Sequence, residues 1–274
     1  MKIKRLLKYV VAAAGTTGLA KLPALALRKR RLKAFLKSDR KHVFPPSLKP
    51  RMSFIIPVYN DAHHTLECLL SILRVADASY EVIIVDDGCK DDTSVLLARF
   101  GNVKLHRNAQ NLGFLRSVNA GAELAKGQYL ILINNDARLV EGSLSKALDR
   151  FEAEENCGLM GARVRHVSGG LQEAGCMIYQ NGTTNGYLRY QPEDDLRTLF
   201  QRDVDYCSGE LPIIAVAISR PWAGWMRLMR RPILKKQIFV RACAKMVCAA
   251  FITCAFSLVI LSLVAVPMLN QHAR

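Results

Sequence analysis

The feature that most constrains this chain is a regular alternation of short apolar runs and helical faces between residues 53 and 151. Each apolar run has the length and β-branched content of a strand, and each is followed by apolar residues spaced three and four apart. The predicted strands are 53–59, 81–87, 102–106 and 128–136, and the predicted helices lie around 66–73, 92–100, 114–125 and 144–151. Because apolar strands alternate with helices, the sequence predicts an α/β fold with an open, mainly parallel sheet and flanking helices.

The regular alternation ends near Gly158, and a different pattern follows. Shorter stretches with apolar and polar residues in turn are separated by glycine-containing turns; they cover residues 158–166, 171–179 and 181–190. Short alternating runs with tight turns are typical of antiparallel strands. We therefore expect antiparallel strands to be added to the parallel sheet.

Polar residues follow the predicted parallel strands at the point where each apolar run stops. The strand ends read PVYND, VDDG, HRN and NND. In open parallel sheets ligands bind beyond the carboxyl ends of the strands, so these ends predict one binding site along one edge. The sequence contains neither the glycine fingerprint of dinucleotide-binding proteins after the first strand nor a phosphate-loop motif.

Carboxylates at this edge would repel a bare phosphate, so a phosphate ligand needs a cation. Mg²⁺ or Mn²⁺ binds carboxylate and diphosphate oxygens together, and Asp136 ends the most apolar strand. Asp86 and Asp87 can accept hydrogen bonds from a base or a ribose. The segment 111–121 adds a glycine, a helix N-terminus and Arg116, all suited to a diphosphate. The pattern predicts a nucleotide diphosphate bound with a divalent cation.

Several ordered segments resemble the family 2 glycosyltransferases of the GT-A fold, and in particular the bacterial rhamnosyltransferase-like enzymes of polysaccharide assembly. They are SFIIPVYN, YEVIIVDDGCKDDT, RNAQNLGFLRSVNAGAELAKGQYLILINNDA and LQEAGCMIY followed by YCSG, and they cover about residues 52–210. The resemblance implies a GT-A-type, Rossmann-like sheet. It also implies inverting transfer of a sugar from a nucleotide diphosphate-sugar to a saccharide or lipid-linked acceptor. The expected donor is a UDP- or dTDP-linked sugar.

The resemblance further implies roles for individual residues. Asp136 matches the metal-binding acid of the family's D-x-D-like motif, which here reads NND, and Mg²⁺ or Mn²⁺ is the expected cofactor. The residues implied to bind the nucleotide-sugar are Pro57, Tyr59, Asn60, Asp86, Asp87, Gly113, Arg116, Asn119 and Asn135.

The family pattern stops after Gly209. In the family a strand, a Gly-Phe-Asp turn and an acid-rich helix with the catalytic base follow, whereas residues 211–274 contain no Asp or Glu. We therefore expect an incomplete C-terminal half of the fold, and the catalytic base is unknown. The acids shortly before the break are expected to be solvated turn residues; they are Glu193, Asp194, Asp195, Asp203 and Asp205.

Residues 211–274 have two main interpretations. As a genuine tail, 211–245 form a basic linker and 246–269, which carry no charge, form an apolar helix long enough to span a bilayer. Positive charge faces the cytoplasm, which places the enzyme domain at the cytoplasmic face of the inner (plasma) membrane. Alternatively, the reading frame changes near codon 210, and the product is an inactive remnant that binds the donor. A helix buried in the core is a further interpretation of residues 246–269.

The formal charge of +16 is unevenly distributed along the chain. The basic N-terminal segment 1–51 holds 15 Lys and Arg and one acid, whereas residues 52–210 hold 15 bases and 22 acids. An acidic middle between basic, apolar flanks favours an anionic membrane surface over nucleic acid, and no nucleic-acid motif is present. Residues 25–37 are predicted to form a basic interfacial helix or, equally, a solvated linker helix. The apolar run before them is too short to span a bilayer, and a secretory signal is its alternative interpretation.

The eight cysteines contain no C-x-x-C pair, so we expect reduced, buried thiols rather than a zinc site. His63 and His64 follow Asn60 and Asp61 at a predicted helix start, where a solvated first turn is favoured over a metal-ligand pair. A membrane-bound scaffold without a ligand is the remaining function class. Unlike the transferase and the donor-binding remnant, it predicts no metal-dependent nucleotide binding.

Overall fold

The computed structural model describes residues 18–76, 79–141, 144–154, 157–167, 169–198, 202–216, 249–250 and 258–267. The helices are α1 Gly18–Lys37, α2 Ala62–Val75, α3 Thr93–Leu97, α4 Phe114–Leu124 and α5 Leu144–Ala153, with a 3₁₀ turn at Leu196–Thr198. The first strands are β1 His42–Val43, β2 Met52–Val58, β3 Tyr80–Asp86, β4 Phe100–Gly101, β5 Val103–Arg107, β6 Tyr129–Leu132 and β7 Ala137–Leu139. The later strands are β8 Cys157–His166, β9 Leu171–Ala174, β10 Cys176–Ile178, β11 Thr184–Gly186, β12 Cys207–Ser208, β13 Ile213–Ala215, β14 Ala249–Ala250 and β15 Leu258–Pro267.

Parallel strands in the order β5-β3-β2-β6 form the first half of a nine-stranded sheet. β2 lies between β3 and β6, with Ile55 beside Ile83 on one side and Leu132 on the other. All 7 residues of β2 are buried, as expected for a strand that is covered on both faces. The predicted α/β fold with an open, mainly parallel sheet between residues 53 and 151 is confirmed.

The two faces of this half are covered by different helices. Ile56 belongs to one core cluster with Leu69 of α2, whereas Ile55 belongs to another with Val118 of α4. Successive strand residues point to opposite faces, so α2 and α4 pack on opposite sides of β2. The approach of α4 requires a glycine, because a Cβ at Gly121 would lie 2.5 Å from Cγ2 of Ile55. This packing sets the direction in which α4 meets the strand ends.

The second half of the sheet is largely antiparallel. β13 pairs antiparallel with both β6 and β8, and β9 pairs antiparallel with β8. The hairpin of β10 and β11 lies outside the main sheet. The predicted antiparallel additions are therefore confirmed. β13 comes just after Gly209, where the composition changes, and Ile213 is fully buried, so the sheet continues across that change.

Within residues 246–269 the structure describes two strands rather than a helix. β14 pairs with β12, and β15 pairs antiparallel with β8 and in parallel with β7. The predicted apolar helix is therefore wrong for 249–250 and 258–267, and its other residues lie outside the described ones. The segment 258–267 is rich in Val, Ile and Leu, and β8 offers backbone groups to pair with, which favours a strand. Across the described part of the chain, no helix has the length and apolar character needed to cross a bilayer.

The basic N-terminal segment contributes a helix that packs on the domain. α1 lies against α2, with Leu32 and Phe35 buried, and Nη1 of Arg31 is 3.3 Å from Oε1 of Glu67. Phe35 also stacks on Phe100, with 6.1 Å between ring centroids. The predicted helix is confirmed, but it is docked rather than being a solvated linker. The apolar run before it and most of the basic linker lie outside the described residues.

Candidate functional site

The polar strand ends predicted to form a site meet at one edge of the sheet, which we call the rim. The rim consists of Asn60, Asp86, Asp87, Asn135 and Asp136. β2 and β3 are aligned so that the N–H of Asp87 donates to the carbonyl oxygen of Val58 at 2.8 Å. Nδ2 of Asn135 donates to the carbonyl oxygen of Asn60 at 3.3 Å, which joins the end of β6 to the end of β2. The carboxyl ends of three parallel strands therefore converge, as the strand order predicts.

The turn after β2 is held by backbone geometry and by a thiol. Asn60 and Asp61 both have a φ of 57°, a region that Asn and Asp tolerate better than most residues. The N–H of Asn60 donates to Sγ of Cys89 at 3.0 Å, and its side-chain oxygen accepts from the N–H of Lys90 at 2.8 Å. Burial, followed by the neighbouring Asp86, raises the pKa of Cys89 to about 12. The cysteines among the described residues are all free, as predicted.

Two predicted pocket residues differ in accessibility. Pro57 is buried within β2, beside Val85 of β3, so it shapes the strand end without offering exposed surface. Tyr59 follows two residues later, and its side chain is 50% exposed. An exposed aromatic ring at the rim can stack on a nucleobase. The structure therefore leaves Tyr59, rather than Pro57, accessible to a ligand.

Asp87 holds the loop that follows β5. Its carboxylate, on a residue 3% exposed, accepts from Nδ2 of Asn108 at 2.7 Å and from the N–H groups of Leu112 at 2.8 Å and Gly113 at 2.9 Å. Hydrogen bonds to an ionised acceptor are roughly twice as strong as neutral ones. The loop passes so close that a Cβ at Gly88, which has a φ of +77°, would lie 2.9 Å from its backbone. In the Asp-Asp-Gly sequence, Asp87 therefore binds this loop and Gly88 leaves room for it.

The carboxylate of Asp86 is engaged as well. Its Oδ1 accepts from the N–H of Cys89 at 2.9 Å, and its Oδ2 lies 3.7 Å from Nε of Arg107. Both acids that the resemblance assigns to the base and ribose therefore position the loops of the rim in this structure. Direct contact of Asp86 and Asp87 with a nucleotide stays a prediction.

The first turns of α4 bring a cation and an unpartnered amide to the rim. Gly113, with a φ of 86° and a ψ of 162°, precedes the helix, and Arg116 is exposed in its first turn. The side-chain oxygen of Asn119 is buried and accepts no hydrogen bond from the described residues. A helix N-terminus with an arginine attracts an anion, and a buried acceptor needs a donor. These groups match the diphosphate and the hydroxyl or N–H groups of a nucleotide.

Asp136 is the rim acid without a protein partner. Among the described residues, only its own backbone N–H is placed to donate a hydrogen bond to its carboxylate. The adjacent Asn135 is fixed, because its Nδ2 donates to Oγ1 of Thr65 at 3.1 Å. Burial, with the Asp61 carboxylate adding to it and the Arg28 guanidinium opposing it, raises the pKa of Asp136 to about 6. A partly desolvated carboxylate that forms no ion pair among the described residues favours a bound cation.

A divalent cation fits this site when a ligand shares it. Within the described residues, no group of three or more His, Cys, Asp and Glu side chains could hold a metal ion. Mg²⁺ is usually bound by one or two protein carboxylates, with substrate phosphates and water completing the coordination. The carboxylate of Asp136 fits that arrangement, with most ligands supplied by a diphosphate.

The sequence model of glycosyl transferase family 2 matches residues 53–209, which is more than half of the chain. The chain belongs to this family. It is 36% identical over 107 residues to an uncharacterized protein of Mycobacterium tuberculosis, a match that covers 38% of this chain and 33% of that protein. It is 33% identical over 87 residues to an uncharacterized glycosyltransferase of Rickettsia prowazekii, covering 32% of this chain and 27% of that protein. The chain thus matches a third or less of the length of these relatives.

A mannosyltransferase of Pyrobaculum calidifontis, solved in complex with GDP-Man and Mn²⁺, is similar in structure over 97% of this chain and 70% of its own. The TM-score is 0.49 and the sequence identity is 19%. The family assignment rests on the sequence match alone, and it confirms the resemblance seen in the ordered motifs. The parallel half of the sheet agrees with the GT-A-type, Rossmann-like sheet that the resemblance implied.

His63 and His64 do not form the solvated first turn that the sequence predicted. His63 is 5% exposed, the two rings lie 4.2 Å apart, and Nε2 of His63 has no partner among the described residues. Burial lowers the pKa of both side chains, that of His64 to about 3, with His63 and Arg28 adding to the shift. The reason is α1, which lies outside the matched part of this family 2 protein and packs on α2.

The same helix explains a residue near the site that the motifs could not reveal. Arg28 of α1 is half-buried and is close enough to Asp136 for each to shift the pKa of the other. The charge of α1 is visible in the sequence. Its position beside the rim is not, because no family 2 motif covers this helix.

A second group of acids, also not predicted, lies buried beside the rim. Glu210, 1% exposed, accepts from Nδ2 of Asn134 at 3.2 Å and from Nε2 of Gln172 at 3.3 Å. Burial, with Asp136 and Glu173 adding to it, raises the pKa of Glu210 to about 8. Glu210 is therefore largely protonated at neutral pH. The sequence marks it only as the last acid before the composition changes.

Glu173 is buried in the same way, at 3% exposed. Sγ of Cys176 donates to its Oε2 at 3.4 Å, and burial raises the pKa of Glu173. The side-chain oxygen of Gln172, the residue before Glu173, has no partner among the described residues. Because neither glutamate is exposed, the described residues do not identify a catalytic base for this family 2 protein.

The acids before the break lie mainly on the surface, as predicted. Glu193, Asp194, Asp203 and Asp205 are exposed, and Asp195 is half-buried. Glu193 pairs with Nη1 of Arg165 at 2.6 Å, and Asp205 accepts from the N–H of Ile178 at 2.8 Å. These contacts are structural.

Proposed function

We propose that the rim binds a nucleotide diphosphate-sugar together with Mg²⁺ or Mn²⁺, and that the protein transfers the sugar, with inversion, to a saccharide or lipid-linked acceptor. The observation that carries this proposal is Asp136, a carboxylate that forms no ion pair with any described residue and lies where parallel strand ends converge. Membership of glycosyl transferase family 2 supports sugar transfer. We propose a UDP- or dTDP-linked sugar as the donor.

Each part of such a donor would meet a matching group at the rim. The half-exposed ring of Tyr59 would stack on the base, and the unpartnered oxygen of Asn119 would accept from an N–H or a hydroxyl. Arg116 and the N-terminus of α4 would attract the diphosphate. Asp87 would act indirectly, because its three hydrogen bonds fix the loop that leads into α4.

Charge explains why a cation is part of the proposal. Residues 52–210 hold 22 acids and 15 bases, so a diphosphate approaches this region against repulsion. Asp136 would hold the cation, which when bound neutralises charge on the leaving diphosphate. Asn135 would keep the Asp136 segment in place through its bonds to Thr65 and Asn60.

Calorimetry tests donor binding directly. UDP, dTDP and GDP are titrated into the protein with and without Mn²⁺, and the series is repeated with Asp136→Asn. We expect binding that needs Mn²⁺ and is weakened at least tenfold by the substitution, as for loss of a charged ligand to the metal. Asp149→Asn, which removes an exposed acid from α5, is the matched control and should bind normally. No binding by the unaltered protein would contradict the proposal and would favour a scaffold.

A second candidate function is donor binding without transfer. It is favoured by the burial of Glu173 and Glu210, at 3% and 1% exposed, and by the absence of any acid after residue 210 in the sequence. An acceptor hydroxyl must lose its proton to a base within hydrogen-bonding reach. If neither glutamate supplies the base, it must come from one of the exposed acids of this chain or from another chain.

Turnover separates the two functions. The protein is supplied with nucleotide-sugars that it binds, and both sugar transfer and free nucleotide are measured over time. Metal-dependent binding without product supports the donor-binding function, whereas transfer supports the enzyme. Sequencing of the coding DNA across codon 210, with translation of the other frames, adds an independent result. A Gly-Phe-Asp turn and an acid-rich helix in another frame would mark this product as inactive.

A further inference from the structure

The outer face of α1 carries bases in a row. Leu32 and Phe35 are buried and attach the helix to the domain. Arg30, Lys33 and Lys37 are exposed and recur at spacings of three and four, so they lie along one side of the helix, away from the buried pair. Because α1 is docked, this row has a fixed position on the surface of the protein.

Further bases flank the row, and we call the whole set the basic face. It consists of Lys29, Arg30, Lys33, Lys37, Arg40 and Lys41, all exposed. Among the described residues, none of them forms an ion pair or a side-chain hydrogen bond. By contrast, Arg31 points toward α2 and pairs with Glu67 at 3.3 Å. The one acid within residues 1–51 is Asp39, so the basic face is not neutralised locally.

We propose that the basic face docks the protein on an anionic phospholipid surface. Clusters of about four to eight Lys and Arg on a helix bind anionic headgroups, and each base near the bilayer adds to the affinity. This role goes beyond the proposed sugar transfer and does not depend on donor binding. It is also separate from the predicted C-terminal span, because it uses only described residues of α1 and the segment after it.

The composition of the face favours lipid over nucleic acid. Binding to single strands uses exposed aromatic side chains, but Phe35 stacks inward on His42 and Phe100, at 5.7 Å and 6.1 Å between centroids. Leu27 of α1 is aliphatic and 50% exposed, which suits the boundary between headgroups and acyl chains. The sequence before α1 repeats this combination, with Lys2, Lys4, Arg5 and Lys8 ahead of an uncharged run.

The charge distribution also gives the docked protein an orientation. Residues 52–210 are acidic overall and would be repelled by the same surface that attracts α1.

Vesicle co-sedimentation of the full chain tests this inference. Partition coefficients are measured for phosphatidylcholine vesicles with and without phosphatidylglycerol, at low and at high salt. The readout at each salt concentration is the ratio of the coefficient with phosphatidylglycerol to the coefficient without it. This ratio cancels uptake that depends only on apolar segments. We expect a preference for the anionic vesicles that salt weakens. The triple variant Arg30→Gln, Lys33→Gln and Lys37→Gln should lower the partition into anionic vesicles by about a hundredfold.

Two further variants keep the test decisive. Lys126→Gln, Lys146→Gln and Arg150→Gln remove the same charge from exposed positions elsewhere and should keep the preference. Arg30→Lys, Lys33→Arg and Lys37→Arg keep the charge of the face and should also keep it. Equal loss in the control variant, or an unchanged preference in the Gln variant, would overturn the proposal. So would salt-dependent binding of duplex DNA or RNA through the same bases without any lipid preference.

Discussion

The two halves of the sheet hold their buried acids in opposite ways. In the parallel half, Asp87 accepts three hydrogen bonds, and Asp86 accepts one and lies 3.7 Å from the guanidinium of Arg107. In the antiparallel half, Glu210 and Glu173 are just as buried, but within the described residues neither forms an ion pair, and burial raises the pKa of both.

The difference separates a half whose buried acids anchor loops from a half whose buried acids form no ion pair among the described residues. The parallel half uses charged acids as anchors for loops, so its geometry is fixed before a ligand arrives. In the antiparallel half burial disfavours the charged form of both acids, so raising the pH charges them against the cost of burial. Substitutions in the two halves should therefore have opposite signs.

The largest effect is expected for Asp87→Ala. Removal of the carboxylate removes one hydrogen bond from Nδ2 of Asn108 and leaves two loop N–H groups without their acceptor, at a cost of about 4 kcal/mol in unfolding free energy. Urea denaturation measures this cost. Asp92→Ala, at an exposed position without a side-chain cap bond, should change the unfolding free energy by less than about 0.5 kcal/mol. Equal effects of the two substitutions would contradict the anchoring role of Asp87.

A somewhat smaller effect is expected for Gly88→Ala, which tests the loop rather than its anchor. The new Cβ would combine an unfavourable φ of +77° with a 2.9 Å approach to the loop backbone, for about 3 kcal/mol. At Gly169, with a φ of +93° and no atom within 4 Å, the same change should cost about 1 kcal/mol. Thermal and urea unfolding of both variants isolate the steric part. A cost at Gly88 no larger than at Gly169 would mean that the loop does not pack closely.

In the antiparallel half, Glu210→Gln should stabilise the protein. The folded pKa of about 8 lies above the ordinary 4.5, so the folded protein keeps a proton that the unfolded chain releases. The stability due to this proton is complete below about pH 4.5 and is lost as the pH rises toward about 8. A glutamine is always neutral and can donate to the unpartnered oxygen of Gln172. We expect a gain of about 2 kcal/mol near pH 9 and little change near pH 5.

Urea denaturation across this pH range checks the expectation for Glu210. Glu123→Gln on α4 removes an exposed carboxylate and serves as the control, with no comparable pH dependence expected. A variant at Glu210 that is equally or less stable than the unaltered protein near pH 9 would show that the glutamate is ionised and usefully paired in the folded state.

The same comparison explains what the sequence could predict. The parallel half is encoded locally: apolar runs give the strands, the spacing of Leu66 and Leu69 gives a helix face, and polar residues mark the strand ends. Convergence then follows from strand order, so the sequence alone predicts that Asn135 and Asp136 lie beside Asn60. The proposed functional role of the rim also follows from local motifs, because the ordered segments carry the family resemblance.

What could not be predicted depends on packing between segments that are distant in sequence. His63 has the context of a solvated helix start, but α1 covers it. Residues 258–267 are apolar enough for a helix, but β8 and β7 offer strand pairing. Glu210 looks like an ordinary surface acid until Asn134 and Gln172 enclose it. In each case the local pattern allows two states, and a partner from elsewhere decides between them.

The smallest predicted effect concerns Asp136, which lies between the two halves, and it applies if the proposed metal-dependent donor binding holds. Proton and cation compete for this carboxylate, so binding should weaken as the pH falls through about 6. Asp61→Asn removes a nearby negative charge and should move this midpoint down by less than about one pH unit. Glu210→Gln should leave the midpoint unchanged, because Glu210 is already protonated near pH 6. Calorimetry with Mn²⁺ and nucleotide over this pH range measures the midpoint for all three proteins. A lower midpoint in Glu210→Gln would mean that Glu210 is charged near pH 6. The two halves of the sheet would then not differ electrostatically.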